Sequence, residues 1–354
     1  MNGAGGSNSS QLPHHHHHHH DHANNNRQIE MITTTAAPPL NNNSKECKKG
    51  CCSAPPPAAR PRVGLQMPPE ELVQQEPSKI LQALFLITRL GEFSLHDTII
   101  QAYKKHLLQG QSSSTTWKDI LRQTFAENGV LDGSFGDGKH TILHWASKRK
   151  DEPRFVQFWA QFISIHAKTD DGTGMTALHW ACTEGPNLPI IRFLMEEARK
   201  DTDQPSLVEQ ADSSGCTPLL IAAQYGQVEA VAYLIQKGAN RNALDTNRDS
   251  ALHWAAYKGN ADVMGLLLYY DVEDHQQQAT APDVYGQTPL HLASLRGHKT
   301  VCRYLLEHLY NQGGRVEVRR ILQKADKNGR TPEALAKHKE RVAVAAFLND
   351  YTRN

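Results

Sequence analysis

The 354-residue chain has almost no net charge: 38 Lys and Arg stand against 37 Asp and Glu, a formal charge of +1. A balance this even gives no electrostatic case for nucleic acid or an anionic membrane, both of which call for clustered cations. Long apolar runs are missing too. The longest, around residues 83–87 and 266–270, fall far short of the ~18 residues a membrane-spanning helix needs. The opening MNGAGGSNSS has no apolar stretch, so it is no secretory signal. N-myristoylation needs Gly after Met, and Asn2 stands there. Cysteine is scarce. Cys182, Cys216 and Cys302 are spread singly, which suits reduced core residues in the cytosol or nucleus rather than a disulfide framework. The sequence holds no Gly-rich phosphate loop and no nucleophile elbow. Asp170-Asp171 and Glu196-Glu197 are isolated acidic pairs, which read as solvated turn and helix ends rather than as an acid–base pair.

What is present is a phrase that recurs six times. Thr141-Ile-Leu-His-Trp-Ala146, Thr176-Ala-Leu-His-Trp-Ala181 and Ser250-Ala-Leu-His-Trp-Ala255 are nearly identical. Thr217-Pro-Leu-Leu-Ile-Ala222, Thr288-Pro-Leu-His-Leu-Ala293 and Thr331-Pro-Glu-Ala-Leu-Ala336 are variants. From the first residue of each to the next, the steps are 35, 41, 33, 38 and 43 residues. Thr or Ser is an N-cap, its hydroxyl serving an orphan amide at a helix start. Pro218, Pro289 and Pro332 follow at N1, where a missing N–H is harmless. Leu252, Ala255 and Ala256 then share one helical face, and the small Ala lets the next helix approach. A second apolar run follows each phrase, at residues 228–235, 263–268 and 301–306, and Gly238 fits a helix stop. Asp171, Asp212, Asp283 and Asp326 open Asp-x-x-Gly turns, whereas Asp245 has Arg248 in place of the Gly. In the first copy Gly136 replaces the Asp, so that edge is expected to be irregular. A period near 33 with a Thr-Pro-Leu-His core is the mark of an ankyrin array. The expected fold is an all-α ankyrin-repeat solenoid of about six helix-turn-helix repeats with β-hairpin-like turns, over residues 131–350.

Residues 1–69 read as a disordered low-complexity tail. His14–His20 is either a native tract or an added tag; Asn24–Asn26 and Asn41–Asn43 are similar runs. Cys47, Cys51 and Cys52 sit among lysines and are candidate lipidation sites, weighed against a solvated linker with incidental thiols. Residues 70–130 regain helical character. Helices are expected from Pro77 to a stop at Gly91, from Asp97 to Leu108 and from Ser114 to Phe125. They read as an N-terminal helical cap over the first repeat, since a solenoid needs its ends covered, with a separate partner-binding module as the sharper option. Longer connections at 196–210, 270–282 and 310–324 are expected to form loops on one side, or tolerated slack. Glu333 gives the last repeat the polar character of a C-terminal cap.

His144, His179, His253 and His291 recur at one repeat position. A hydrogen bond to the neighbouring turn explains them more simply than a metal ladder, and no metal or cofactor site is assigned. Trp145, Trp180 and Trp254 stand two residues after the core Leu, ~200° round the helix from it. They either pack against the adjacent repeat or line a concave groove. With Tyr257 they are the candidate partner-binding residues.

The Leu-His-Trp-Ala copies, with Ala222-Ala-Gln-Tyr-Gly226, Ala232-Tyr-Leu-Ile-Gln-Lys-Gly238 and Ser250-Ala-Leu-His-Trp-Ala-Ala-Tyr-Lys-Gly259, resemble the ankyrin domain of DHHC-type protein S-acyltransferases over about residues 140–348. That resemblance implies a domain facing the cytosol that recruits substrate proteins, with a groove tryptophan holding a short extended segment. Trp180 is the best match, with Trp145 beside it. The family's chemistry lies in an Asp-His-His-Cys motif between membrane helices, and this sequence has neither. Hence the expectation is a non-catalytic scaffold in the cytoplasm that binds a protein or extended peptide. Two alternatives stay open: the substrate-recruiting region of a longer S-acyltransferase on the cytosolic face of Golgi or other endomembranes, and an adaptor anchored through the N-terminal cysteines.

Overall fold

Each repeated phrase starts a helix, and the chemistry of that start is more elaborate than a simple N-cap. At Thr176, Ser250 and Thr288 the cap hydroxyl and the cap amide both meet the imidazole Nδ1 of the His three residues on. His takes the part usually played by Glu or Gln in a capping box. Its other nitrogen, Nε2, reaches a carbonyl of the next repeat: Met175 from His144, Cys216 from His179, Gln287 from His253 and Lys324 from His291, at 3.0–3.3 Å. A carbonyl only accepts, so Nε2 carries the proton and Nδ1 is free to accept from the cap. The third copy has Leu220 in place of His and the sixth has Ala334; in the third the Thr217 hydroxyl is buried without a partner.

The structure, a computed structural model, describes residues 68–108, 116–130, 139–150, 152–200, 203–274 and 278–353. The first four helices are α1 (Pro69–Leu72), α2 (Pro77–Leu90), α3 (Phe93–Leu108) and α4 (Trp117–Glu127). Six helix pairs follow: α5 (Ile142–Ser147) with α6 (Arg154–Trp159), α7 (Ala177–Thr183) with α8 (Leu188–Ala198), and α9 (Pro218–Gln224) with α10 (Val228–Gln236). Then come α11 (Ala251–Lys258) with α12 (Ala261–Asp274), α13 (Pro289–Arg296) with α14 (Lys299–Gln323), and α15 (Pro332–His338) with α16 (Val342–Arg353). The odd-numbered helices from α5 to α15 pack in sequence, each also against its own partner. No β-strand forms among the described residues; Lys168 and Thr176 make one isolated antiparallel bridge.

The turns between pairs are built by aspartate. Oδ1 of Asp212, Asp245, Asp283 and Asp326 accepts from the amides two and four residues on, at 2.7–2.9 Å. Closing this turn takes a left-handed residue, supplied by Gly174, Gly215, Gly286 and Gly329 and, in the fourth copy, by Arg248 at φ 62. Successive turns are stitched by one backbone hydrogen bond each: Asp170 to Lys139, Ser213 to Thr173, Thr246 to Ser214, Val284 to Asn247 and Lys327 to Tyr285, at 2.7–2.9 Å. A second set of ties lies at the opposite helix end. Asn187, Asn260, His298 and Arg341 stand before the even-numbered helices and donate to carbonyls of Ser147, Ala223 and Gln224, Tyr257, and Leu295 in the preceding repeat. These carbonyls end a helix and have no partner within it.

The cap helices pack with the repeats in one compact unit. Trp159 of α6, fully buried, donates to the Thr88 hydroxyl of α2 at 3.2 Å, and Phe93 of α3 meets Phe155 edge-on at 5.1 Å. α2 stops where expected, at left-handed Gly91 (φ 87). α3 begins at Phe93, four residues earlier than expected, because Phe93 and His96 pack into the aromatic cluster of α6. α1 was not foreseen.

Two of the three long connections, 270–282 and 310–324, differ from expectation. The 310–324 segment is helical: α14 runs on to Gln323 with a break at Gly314 (φ 62, ψ −155), and Val318, Ile321 and Leu322 are buried. No proline interrupts it, and its apolar residues keep helical spacing. The 270–282 segment likewise begins as an extension of α12 and ends in a short 3-10 turn, Gln278–Thr280. Gly136, His14–His20, the Asn runs and Cys47, Cys51 and Cys52 lie outside the described residues. The other three cysteines are buried free thiols.

Candidate functional site

The odd-numbered helices present their last residues at one edge of the repeat stack. Counting from each cap residue, the fifth helix-face position (four after Thr or Ser) holds Trp145, Trp180, Ile221, Trp254, Leu292 and Leu335. Eight after it stand Arg149, Glu184, Tyr225, Lys258, Arg296 and Lys339. The first row is largely interior. Trp180 is 7% exposed and Trp254 8%, so neither offers an open ring face. Of the two readings offered by the helical wheel, packing against the adjacent repeat describes Trp180 and Trp254. A solenoid helix has neighbours on both sides, so the direction ~200° from the core Leu meets the adjacent repeat instead of solvent.

The environments of the four candidate residues differ. Trp180 meets Trp145 edge-on at 5.2 Å and His140 at 5.0 Å, with Lys148 Nζ 4.8 Å above its ring. Trp145 is half-buried, and the cap helix covers it: Arg89 lies 4.7 Å over the ring and Phe85 meets it edge-on. Trp254 donates Nε1–H to Asp245 at 3.1 Å, which ties the fourth inner helix to its own turn. Tyr257 is half-buried, edge-on to Trp254, with the Arg296 guanidinium 4.7 Å over it. Thus Trp145 and Trp180 come together, Trp254 and Tyr257 come together, and the two pairs belong to separate repeats.

Between them in register stands a residue the sequence reading passed over. Tyr225, at the end of α9, is 52% exposed, the most open aromatic on the inner helices. Its position is legible in retrospect. It follows the last core Ala and precedes the turn Gly226, where the side chain has left the packed face. Glu184 stands in the repeat before it and lies 3.9 Å from Lys148.

The electrostatics of this region argue for a structural frame rather than for catalysis. Burial pushes the imidazoles of His144, His179, His253 and His291 down to about 4, so they are neutral at pH 7. Both nitrogens of each are hydrogen-bonded as described above, with the Thr141 hydroxyl 2.8 Å from Nδ1 of His144. At Asp171 burial would raise the pKa, yet hydrogen bonds from Thr173, Thr169 and His140 outweigh it and hold the carboxyl well below the usual range. Burial raises the Cys182 and Cys216 thiols far above reactive values.

Comparison with known proteins agrees with this frame. The profile described as "Ankyrin repeats (3 copies)" matches at residues 143–245, 202–278, 238–314 and 273–353, together more than half of the chain. The chain belongs to the ankyrin-repeat family. Its relatives include "Putative palmitoyltransferase ZDHHC13" of Danio rerio, 33% identical over 42% of this chain and 22% of that protein. Palmitoyltransferase AKR1 of Lachancea kluyveri is 27% identical over 58% of this chain and 26% of its own length. Transient receptor potential cation channel subfamily A member 1 of Homo sapiens is 32% identical over 41% of this chain and 13% of its own. The alignments therefore span about a quarter or less of these relatives. Similarity at one level to two named transferases and a channel follows the repeat, which carries no single activity. The 354 residues contain no Asp-His-His-Cys motif, and no described helix is long and apolar enough to cross a membrane.

Proposed function

We propose that this chain is a non-catalytic interaction module of the cytosol that holds an extended segment of a partner protein along the ends of its inner helices. The observation that carries this reading is the row containing Tyr225: side chains of one register that emerge from a rigid, hydrogen-bonded frame and vary in character from repeat to repeat. Large, stiff aromatics such as Tyr bury much area for little lost freedom and anchor interfaces accordingly. Trp180 lies beneath this row and shapes it. Trp145 contributes through the edge left open by Arg89.

The experiment is affinity capture from cells of the source organism with the full chain, comparing wild type with Tyr225→Ala and Trp180→Phe. Ala at 225 removes an exposed ring and leaves the melting temperature unchanged. Phe at 180 keeps most of the volume, whereas Ala there would cost about 3–5 kcal/mol in cavity formation. Loss of one discrete set of proteins from the Tyr225→Ala bait supports the reading. Identical captures by all three baits refute it.

The two relatives named as palmitoyltransferases favour a more specific second reading, in which the module recruits proteins for S-acylation by a longer parent chain. Acyl-exchange labelling of the captured proteins tests it. Enrichment of thioester-linked cysteines supports it, and a labelled fraction equal to that of the whole lysate removes it.

A further inference from the structure

Three cations at the C-terminal part of the same edge have no ion-pair partner among the described residues. Lys258 ends α11, Arg296 ends α13, and Arg341 precedes α16. The Arg296 guanidinium lies 4.7 Å from the centre of the Tyr257 ring, and Lys258 Nζ lies 6.0 Å from it. The Arg341 stem crosses Gly297 so closely that a Cβ there would stand 2.9 Å from its Cδ, and Nε donates to the Leu295 carbonyl at 3.5 Å. His298 donates to the Tyr257 carbonyl at 3.1 Å and completes the cluster. Arg296 and Arg341 are exposed, while Lys258 and Tyr257 are half-buried.

Some cations of the array have a carboxylate partner. Lys148 has Glu184, Arg330 has Asp326 and Lys337 has Glu333. None of Lys258, Arg296 and Arg341 makes an ion pair with a described carboxylate. The neighbours register this. The Lys258 ammonium is held below its ordinary value by burial and then by Arg296, and the His298 imidazole by burial, against its bond to Tyr257, and by Arg296 and Arg341. A cation in the last turn of a helix offsets the helix dipole. That explains one cation per helix end. It does not explain Lys258 and Arg296, from adjacent repeats, sharing the Tyr257 ring, with Arg341 one repeat further on, because like charges repel.

We propose that Tyr257, Lys258, Arg296 and Arg341 form the docking surface for an acidic, extended segment of the partner protein. This rests on the inner-helix reading above and adds the chemistry of the partner at one end of the row. A polypeptide fits better than an anionic bilayer. The same row includes Glu184 and the open Tyr225, and the chain as a whole carries only +1, so a broad anionic surface laid along it gains little. Carboxylates spaced along one strand meet the cations alone.

The test uses the full chain and fluorescence anisotropy with a labelled peptide of alternating Glu and Ser, beside a control in which Gln replaces every Glu. Wild type is expected to bind the Glu peptide and to prefer it over the Gln peptide, with a preference that shrinks as salt is added. The Lys258→Gln/Arg296→Gln variant is expected to lose about threefold to tenfold in affinity. Lys258→Glu/Arg296→Glu is expected to lose more, at an unchanged melting temperature for the Gln variant. Equal binding of the two peptides overturns the proposal. So does equal affinity in all three proteins, or sedimentation with phosphatidylserine vesicles without peptide binding. The two readings separate in the capture experiment. If Tyr225→Ala loses partners that Lys258→Gln/Arg296→Gln retains, the acidic-segment proposal falls and the inner-helix reading stands.

Discussion

Asp249→Gln is expected to stabilise the protein, and increasingly so as pH rises. Asp249 precedes the cap residue of the fourth copy; Cys216, Gln287 and Arg330 hold the same place in the third, fifth and sixth. Each of those three offers a donor to Oδ2 of a turn aspartate: Cys216 to Asp245 at 4.0 Å, Gln287 to Asp326 at 3.4 Å, and Arg330 to Asp326 at 3.0 Å. Asp249 is the exception, and both its Oδ1 and the Asp283 Oδ2 are buried without a partner. Asp283 Oδ1 already accepts two amides, so the charge belongs on Asp283 and the proton on Asp249. Burial, then Asp245 and Asp283, push the Asp249 carboxyl up to about 8. The sign follows. An acid with a raised folded pKa binds more protons folded than unfolded, so its contribution falls as pH rises from about 4 to about 8, by up to about 1.4 kcal/mol per pH unit. Gln titrates in neither state and can donate as Gln287 does. Satisfying a buried carboxylate is worth about 1–3 kcal/mol. Urea unfolding followed by circular dichroism, repeated from about pH 5 to about pH 9, should show Asp249→Gln more stable at neutral pH, with the gap widening upward. A gap that stays constant with pH, or a less stable variant at the alkaline end, refutes the reasoning.

Arg248→Gly is expected to raise stability by about 0.5–1 kcal/mol, because Arg248 occupies a left-handed turn position that glycine fills in four other copies; urea midpoints at one pH decide it. Acid should unfold the array early. The neutral imidazoles of His96, His144, His179, His253 and His291, held down to about 3 or 4 by burial, give stability that is full above about pH 6.5 and lost as pH falls toward those values. The five outweigh the opposing slope of Asp249 in that window, so a melting temperature flat from about pH 6.5 to about pH 4.5 would contradict it.

The repeat frame was legible because it is local. A cap, a proline at N1, an imidazole three residues on and a turn aspartate all act within a dozen residues, so their spacing survives in the sequence. Trp180 and Trp254 were harder. Their helical direction was read correctly, but burial depends on a neighbouring repeat that a single-helix projection omits. Tyr225 was missed because nothing in its own segment separates an open tyrosine from a packed one; its register against the other five copies does. The lengths of α12 and α14 were hidden for another reason. Repeat spacing says how many residues are inserted, and only the burial of Val318, Ile321 and Leu322 shows that they extend a helix.

The ties between repeats all point one way at each edge. His144, His179, His253 and His291 reach forward to a carbonyl of the following repeat, and Asn187, Asn260, His298 and Arg341 each reach back to finish the preceding helix. A repeat is therefore chemically complete only when its successor is in place. Removing residues 324–353 would strip α13 of the Arg341 donor and leave the His291 Nε2 proton facing water, while the first repeats keep every bond. Loss of order should thus travel backward from the C-terminal end, one copy at a time. A chain emerging N-terminus first would seal each copy only after the next has followed it, so the repeat most recently made is always the loosest.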